Sequence, residues 1–281
     1  MKHVLAGHGR AGVSRVLVYA LLIIGAALAL LPLVWMVSAS LMPTGAANSY
    51  PPQLLPRHPT LVHYREIFTR LAMGRFVLNS TIIAGTVTVV SLLVNSMAGY
   101  AFAKLRFPGR DKLFRWLTLG LVVPVQVAML PLFLMFKGMG LINTYWGVII
   151  PSLASIFGIF LIRQYAVDIP EDLLDAARID GAGEFRIYWS VVLPVIVPIL
   201  ATLAIWTFLT TWNDFMWPLI VLSDQSKFTL PVALASLSGE HIQDTELMMA
   251  GSVVTVLPVL IVFLALQRYY VQGIMAGSVK G

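Results

Sequence analysis

Apolar residues fall into six long blocks separated by polar connectors. The blocks are Val16–Ser38, Phe76–Ala103, Trp116–Phe136, Trp146–Ile162, Val191–Leu222 and Leu247–Leu266. An α-helix of about 20 residues crosses a hydrocarbon layer about 30 Å thick. Five blocks meet that length. The fourth, 17 residues as bounded, lengthens through the charge-free run from Gly138. Lipid offers the backbone no hydrogen-bond partner, so each block is expected to close its own bonds as a helix. The pattern predicts an all-α, polytopic membrane protein with six transmembrane helices. Pro124 and Pro131, Pro151, Pro194 and Pro198, and Pro258 lie inside blocks three to six. Each removes a backbone donor, so kinks are expected there.

The connectors differ in kind. Ala39–Arg75 carries Pro43, Pro51, Pro52, Pro56 and Pro59 and begins extended. From Thr60 it turns amphipathic, with Leu61, Tyr64, Ile67, Phe68 and Leu71 on one predicted helix face. Ser223–Glu246 is polar. The most informative connector is Asp168–Arg186, a charged segment between blocks four and five. Asp168 is placed to cap a helix, with Pro170 in the first turn and Glu171 and Asp172 at the positive end of its dipole. Leu173, Ala176 and Ala177 fall on one face, and Gly181 and Gly183 stop the helix. A second short helix follows, with Phe185, Tyr188 and Trp189 on one side. Such a capped elbow is suited to docking in water rather than to lipid.

Composition sharpens the class. The 281 residues are 58% hydrophobic and 11% charged, against about 25% charged in soluble domains. Mean hydropathy is +0.85. The net charge of +6 comes from residues flanking the blocks, which reads as membrane topology and not as a nucleic-acid surface. With both termini inside, inner segments hold 13 Lys and Arg and outer segments 6. Lys104–Arg115 supplies five cations to the inner count. The charge rule therefore predicts both termini in the cytoplasm. The first block is too long for a signal-peptide core of about 7–15 residues. There is no cysteine, hence no disulfide or thiolate site.

Polar groups inside the blocks are few. Ser80, Ala84, Thr88, Ser91, Asn95 and Gly99 form a stripe on the second block. Small residues permit close helix contact, and packing is preferred to a cavity wall. Asp214 is the only carboxylate embedded in a block, and such groups face a cavity or partner. Trp206, Trp212 and Trp217 lie near it, and Gln126 sits beside Pro124. His3, His8, His58, His63 and His241 are scattered without metal-ligand spacing, and no nucleophile–base–acid set is visible.

The order Asp175-Ala176-Ala177, three residues, Gly181, nine residues, then Val191, Leu193 and Pro194 resembles the E-A-A…G…I-x-L-P motif of bacterial ABC importer permeases. Asp175 stands for Glu and Val191 for Ile. AGYAFAKLRFPGRDKLF from Ala98 to Phe114, Leu78-Asn79-Ser80, Trp212-Asn213-Asp214-Phe215, and the tail from Gln267 to Gly281 resemble the carbohydrate-uptake, maltose-type branch. The resemblance implies a non-catalytic permease subunit in a bacterial or archaeal cytoplasmic membrane. Its partners would be a second permease subunit, two ATPase subunits, an extracytoplasmic solute-binding protein and a carbohydrate. ATP and Mg would be bound by the ATPase subunits, with no cofactor in this chain, which lacks GxxxxGK[ST]. Glu171, Leu173, Asp175, Ala176, Ala177, Gly181, Leu193 and Pro194 are the candidate coupling residues. Asn79, Asn95, Gln126, Trp212, Asn213 and Asp214 are the candidates for the substrate pathway.

The expected organisation is a cytoplasmic tail over 1–15, a permease domain over 16–266 with its coupling segment at 168–190, and a cytoplasmic tail over 267–281. An ion-coupled secondary carrier would need several ionisable groups at mid-membrane. A non-transporting scaffold would leave the motif unexplained.

Overall fold

The computed structural model describes the backbone of residues 6–51, 53–240 and 244–278, with side chains for 15–51, 53–236, 244–265 and 267. Lys2 and Lys280, counted above as inner charges, lie outside the described residues, as do His3, His241 and the last three residues of the tail. Among the described residues every regular element is helical. In chain order these are α1 Ala6–Ser40, α2 Val62–Thr69, α3 Met73–Lys104, α4 Arg110–Leu119, α5 Val125–Gly138, α6 Tyr145–Ile149 and α7 Ile156–Val167. There follow α8 Glu171–Ile179, α9 Glu184–Ile187, α10 Leu193–Val195, α11 Val197–Trp212, α12 Met216–Val221, α13 Leu230–Glu240 and α14 Thr245–Ser278.

Among the described residues four stretches are long and apolar enough to cross a membrane: Arg15–Ser40, Met73–Lys104, Tyr145–Val167 and Thr245–Ala265. Two more are broken. Arg110–Val122 and Val125–Gly138 meet at 105°, and Glu184–Val195 and Val197–Trp212 at 80°. The prolines thus do more than kink the third and fifth blocks. Pro124 takes extended backbone and starts a new helix at α5. Residues 188–192 form a wide π-turn ahead of Pro194, and α11 restarts beyond Ile196. Asn213 to Phe215 then end the fifth block early, so Phe215–Leu222 belongs largely to a separate helix, α12. At the C-terminus α14 continues to Ser278, well past Leu266.

The chain forms two compact units. One comprises residues 1–72 and 237–254. In it, α1 is exposed from Arg15 to Val34, as suits a helix sheathed in lipid. The expected face of α2 is displaced: His63 and Ile67 are buried, while Leu61 and Phe68 are exposed. The His63 Nε2–H donates to the Met42 carbonyl at 3.0 Å, and Glu246 accepts the Ala47 N–H at 2.7 Å.

The other unit comprises residues 73–236 and 255–281 and is organised on α3, about 48 Å long at 1.5 Å per residue over its 32 residues. The small-residue stripe on α3 is a packing surface. A Cβ at Gly99 would lie 2.6 Å from Ile162 Cγ2, and one at Gly158 would lie 2.6 Å from the Asn95 amide nitrogen. α3 and α7 therefore touch glycine to side chain in both directions. One core gathers Tyr100, Ile162, Ala166, Leu174, Ile187, Tyr188, Val192 and Leu203, drawing α3, α7, α8, α9 and α11 together. A second joins Ile83, Val87, Val148, Trp217 and Val221. Its buried indole N–H donates to the Gly147 carbonyl at 3.0 Å.

Candidate functional site

The charged segment folds as an elbow, with one change from the expected capping. Asp168 ends α7 rather than starting α8. Pro170 occupies the position before α8, and Glu171 and Asp172 fill its first turn, where the helix dipole favours anions. The far end follows the Schellman pattern. The Ala182 N–H donates to Ala177 O and the Gly181 N–H to Arg178 O, both at 3.0 Å. Gly181 takes φ +80°, a conformation with little strain only for glycine. Gly183, at φ −72°, opens α9 rather than stopping α8.

The inward knob of α8 is Leu174, fully buried; Leu173 is exposed. Residues 173 and 174 point apart because successive helix positions differ by about 100°. Ala177 packs on the core, whereas Ala176 is exposed. Leu173, Ala176, Ile179 and Phe185 form an outward apolar set, with Ile179 at 86% exposure. Of the aromatic trio, Tyr188 is buried, while Phe185 and Trp189 stay exposed and contact it. Leu193 packs against the same core, and Pro194 is exposed.

Two polar ties fasten the elbow to the end of α3. Lys104 is buried and gives its three N–H groups to Val167 O at 3.1 Å, Ile169 O at 2.6 Å and Glu171 Oε1 at 2.9 Å. A buried ammonium is tolerated when its donors are all engaged. In the second tie the Tyr100 hydroxyl donates to Glu184 at 2.6 Å, and Arg178 bridges Glu184 at 2.9 Å and Asp175 at 2.7 Å. Bonds to Glu184 first, then to Asp175, hold the Arg178 guanidinium above its ordinary pKa. A polar basin of ≈ 730 Å³ lies here, lined by Lys104, Arg106, Arg110, Glu171, Asp175, Arg178 and Glu184 among others. The sequence reading missed Lys104, Tyr100 and Glu184 as part of this site. Lys104 read as a topology charge, and nothing in the sequence places Tyr100 opposite Glu184.

The pathway candidates scatter. Asn79 is buried. Its amide donates to Ser226 O and Phe228 O at 3.0 and 2.9 Å, and its oxygen accepts from the Tyr145 hydroxyl at 2.7 Å. Asn95 is buried too, donating to Ser91 Oγ and accepting the Ser155 N–H. Both fasten helices in this conformation. Trp212 is buried, with its N–H on Thr255 O at 3.1 Å. Gln126 and Asn213 are exposed, and Asn213 donates to Leu209 O. Asp214 accepts the Trp217 N–H at 3.4 Å and lines a cavity of ≈ 230 Å³ between the start of α7 and the end of α11.

Long apolar helices and an amphipathic elbow fastened to α3 are the parts expected of a membrane permease subunit. Residues 95–275 match the family of binding-protein-dependent transport system inner membrane components, and the chain belongs to that family. It is 40% identical over 245 residues to the arabinooligosaccharides transport system permease protein AraQ of Halalkalibacterium halodurans, covering 87% of this chain and 86% of that one. It is 33% identical over 266 residues to the diacetylchitobiose uptake system permease protein NgcG of Streptomyces coelicolor, covering 93% and 88%. Its fold matches a subunit of a bacterial ABC transporter involved in the import of the acidic polysaccharide alginate. There the TM-score is 0.81 and the identity 25%, over 92% of this chain and 96% of that one. The chain is accordingly a non-catalytic membrane subunit of an ABC importer, in which separate ATPase subunits handle ATP.

Proposed function

We propose that this chain carries a carbohydrate across the cytoplasmic membrane by alternating access, driven through α8 by an ATPase dimer. It works beside a second permease subunit and receives substrate from an extracytoplasmic binding protein. The relatives' sugar substrates support the substrate class. The single observation that carries the coupling role is the division of α8. One face is anchored through Leu174, Lys104 and Arg178, while Leu173, Ala176 and Ile179 face outward with no core of their own. ATP binding closes the ATPase dimer, α8 moves with it, and the ties to α3 pass the displacement into the bundle. The bias is the difference in ATPase contacts between the two states.

In this reading the third and fifth blocks count as bent spans, giving six crossings with both termini inside. The tie between Lys104 and Glu171 supports it, because it puts α8 at the same end as the Lys104–Arg115 cations. The permease domain is then 16–266, with coupling segment 168–190 and cytoplasmic ends 1–15 and 267–281. Glu171, Leu173, Asp175, Ala176, Ala177, Gly181, Leu193 and Pro194 form the coupling unit. Among the pathway candidates Asp214 has the best-placed cavity; Gln126, Asn213 and Trp212 border the route, and Asn79 and Asn95 act where helices must re-pack.

Gly181→Leu tests the coupling role. The position has open space around it, so the cost is backbone strain of about 1–2 kcal/mol. Membrane insertion should persist, while sugar uptake per ATP hydrolysed, or co-purification with the ATPase, should fall. Uptake at the wild-type ratio would remove α8 from the mechanism.

A further inference from the structure

The cavity between the start of α7 and the end of α11 has a lining unlike the rest of the apolar bundle. Ser152 and Ser155 come from one side; Trp206, Thr210, Thr211 and Asp214 come from the other. These hydroxyls present complementary hydrogen-bonding ends. Thr210 donates its own proton to Trp206 O and Thr207 O at 2.9 and 3.1 Å, leaving its oxygen to accept. Ser155 Oγ accepts the Gly158 N–H at 3.1 Å, leaving its O–H to donate. The Asp214 carboxylate accepts only, and it is held in place by the α12 amide of Trp217. Trp206 is half exposed and braced by Phe157 at 5.4 Å between ring centroids. An aromatic face, spaced hydroxyls and one carboxylate suit a ring bearing several OH groups.

From this geometry we infer that the alcove is a subsite for one uncharged polyhydroxylated ring, and that Asp214 makes it reject rings carrying a carboxylate or phosphate. At ≈ 230 Å³ it falls below the roughly 300–1,000 Å³ of pockets that enclose a whole drug-sized ligand. It therefore takes a single sugar unit, so a longer chain would pass one ring at a time. A like charge brought against Asp214 in a low-dielectric wall is repelled rather than solvated. The alcove thus screens for charge independently of the binding protein. The inference rests on the importer reading and narrows its substrate to neutral carbohydrates.

The test uses the assembled transporter in nanodiscs, read by tryptophan fluorescence, with methyl α-D-glucoside, methyl β-D-xyloside and sodium glucuronate as probes. Trp206→Phe identifies the reporting indole. At least one neutral glycoside should give a saturable signal lost in Trp206→Phe, and glucuronate should give none. Asp214→Asn should weaken the neutral glycoside about tenfold or more, as expected for a lost charged hydrogen-bond partner, and should admit glucuronate. Thr210→Val, which keeps the side-chain shape, should weaken the glycoside without admitting glucuronate. The inference falls if no neutral probe gives a Trp206-dependent signal, or if glucuronate binds wild type and Asp214→Asn equally. Binding-protein-stimulated ATP hydrolysis, measured on the same nanodiscs, separates the two readings. If stimulation is normal and the alcove signal absent, only the subsite falls; if stimulation itself is absent, the importer reading fails with it.

Discussion

Lys104→Met isolates the fastening of the elbow to α3. Met keeps the length and apolar stem of Lys, so packing at the end of α3 is conserved while three donors are lost. The three bonds are unequal. Glu171 is 57% exposed at its side chain, so solvent screening limits that pair to about 0–1 kcal/mol. The bonds to Val167 O and Ile169 O come from a buried charge, and such bonds contribute about 1.5–3 kcal/mol each. Relief from burying the ammonium offsets part of that gain. A net loss of about 2–4 kcal/mol follows, or roughly 30- to 800-fold in the equilibrium holding α8 down. Hydrogen exchange on the assembled transporter should therefore show faster exchange across residues 171–182, with α3 itself unchanged. Uptake per ATP hydrolysed should fall while ATP hydrolysis continues. Wild-type protection over 171–182 together with a wild-type transport ratio would refute the claim that Lys104 carries force between elbow and bundle.

Other substitutions probe separate links. Leu174→Ala should destabilise the unit by about 2–5 kcal/mol, because it empties a buried site; Leu173→Ala should leave thermal stability within about 0.5 kcal/mol yet weaken ATPase co-purification. Asn79→Ala leaves two carbonyls and the Tyr145 hydroxyl without partners, so a loss of about 1–3 kcal/mol is expected in detergent unfolding. Gly99→Leu should cost at least the 1–3 kcal/mol typical of overpacking, read as a lowered Tm of the assembled complex, because Ile162 occupies the space.

Much of the fold is legible from apolar runs because lipid leaves a long run little choice but a helix. The runs do not say where a run breaks. Pro124 and Pro151 look alike in sequence, yet the first starts a helix at 105° to its predecessor, while Pro151 lies in a 3-10 turn within one span. What decides is packing on neighbouring helices, which no local pattern records. The elbow was readable because its turn chemistry is local: Gly181 and the acidic first turn act within a few residues. Its orientation was not, since Leu173 and Leu174 are equal as letters and only the bundle selects one. Asn79 and Asn95 are pathway candidates by resemblance, and what their letters do not record is the distant partner each meets, the Ser226 and Phe228 carbonyls for Asn79 and the Ser155 N–H for Asn95.

The meeting of Gly99 with Ile162 has a consequence for descent. Position 99 is not free to gain a side chain, because a Cβ there would lie 2.6 Å from Ile162 Cγ2, 2.7 Å from Ile162 Cβ and 3.1 Å from the Arg163 nitrogen. Trimming residue 162 would still leave its Cβ in the way, so among relatives of this chain a methyl at 99 should appear only where the two helices stand farther apart or where 162 is itself glycine.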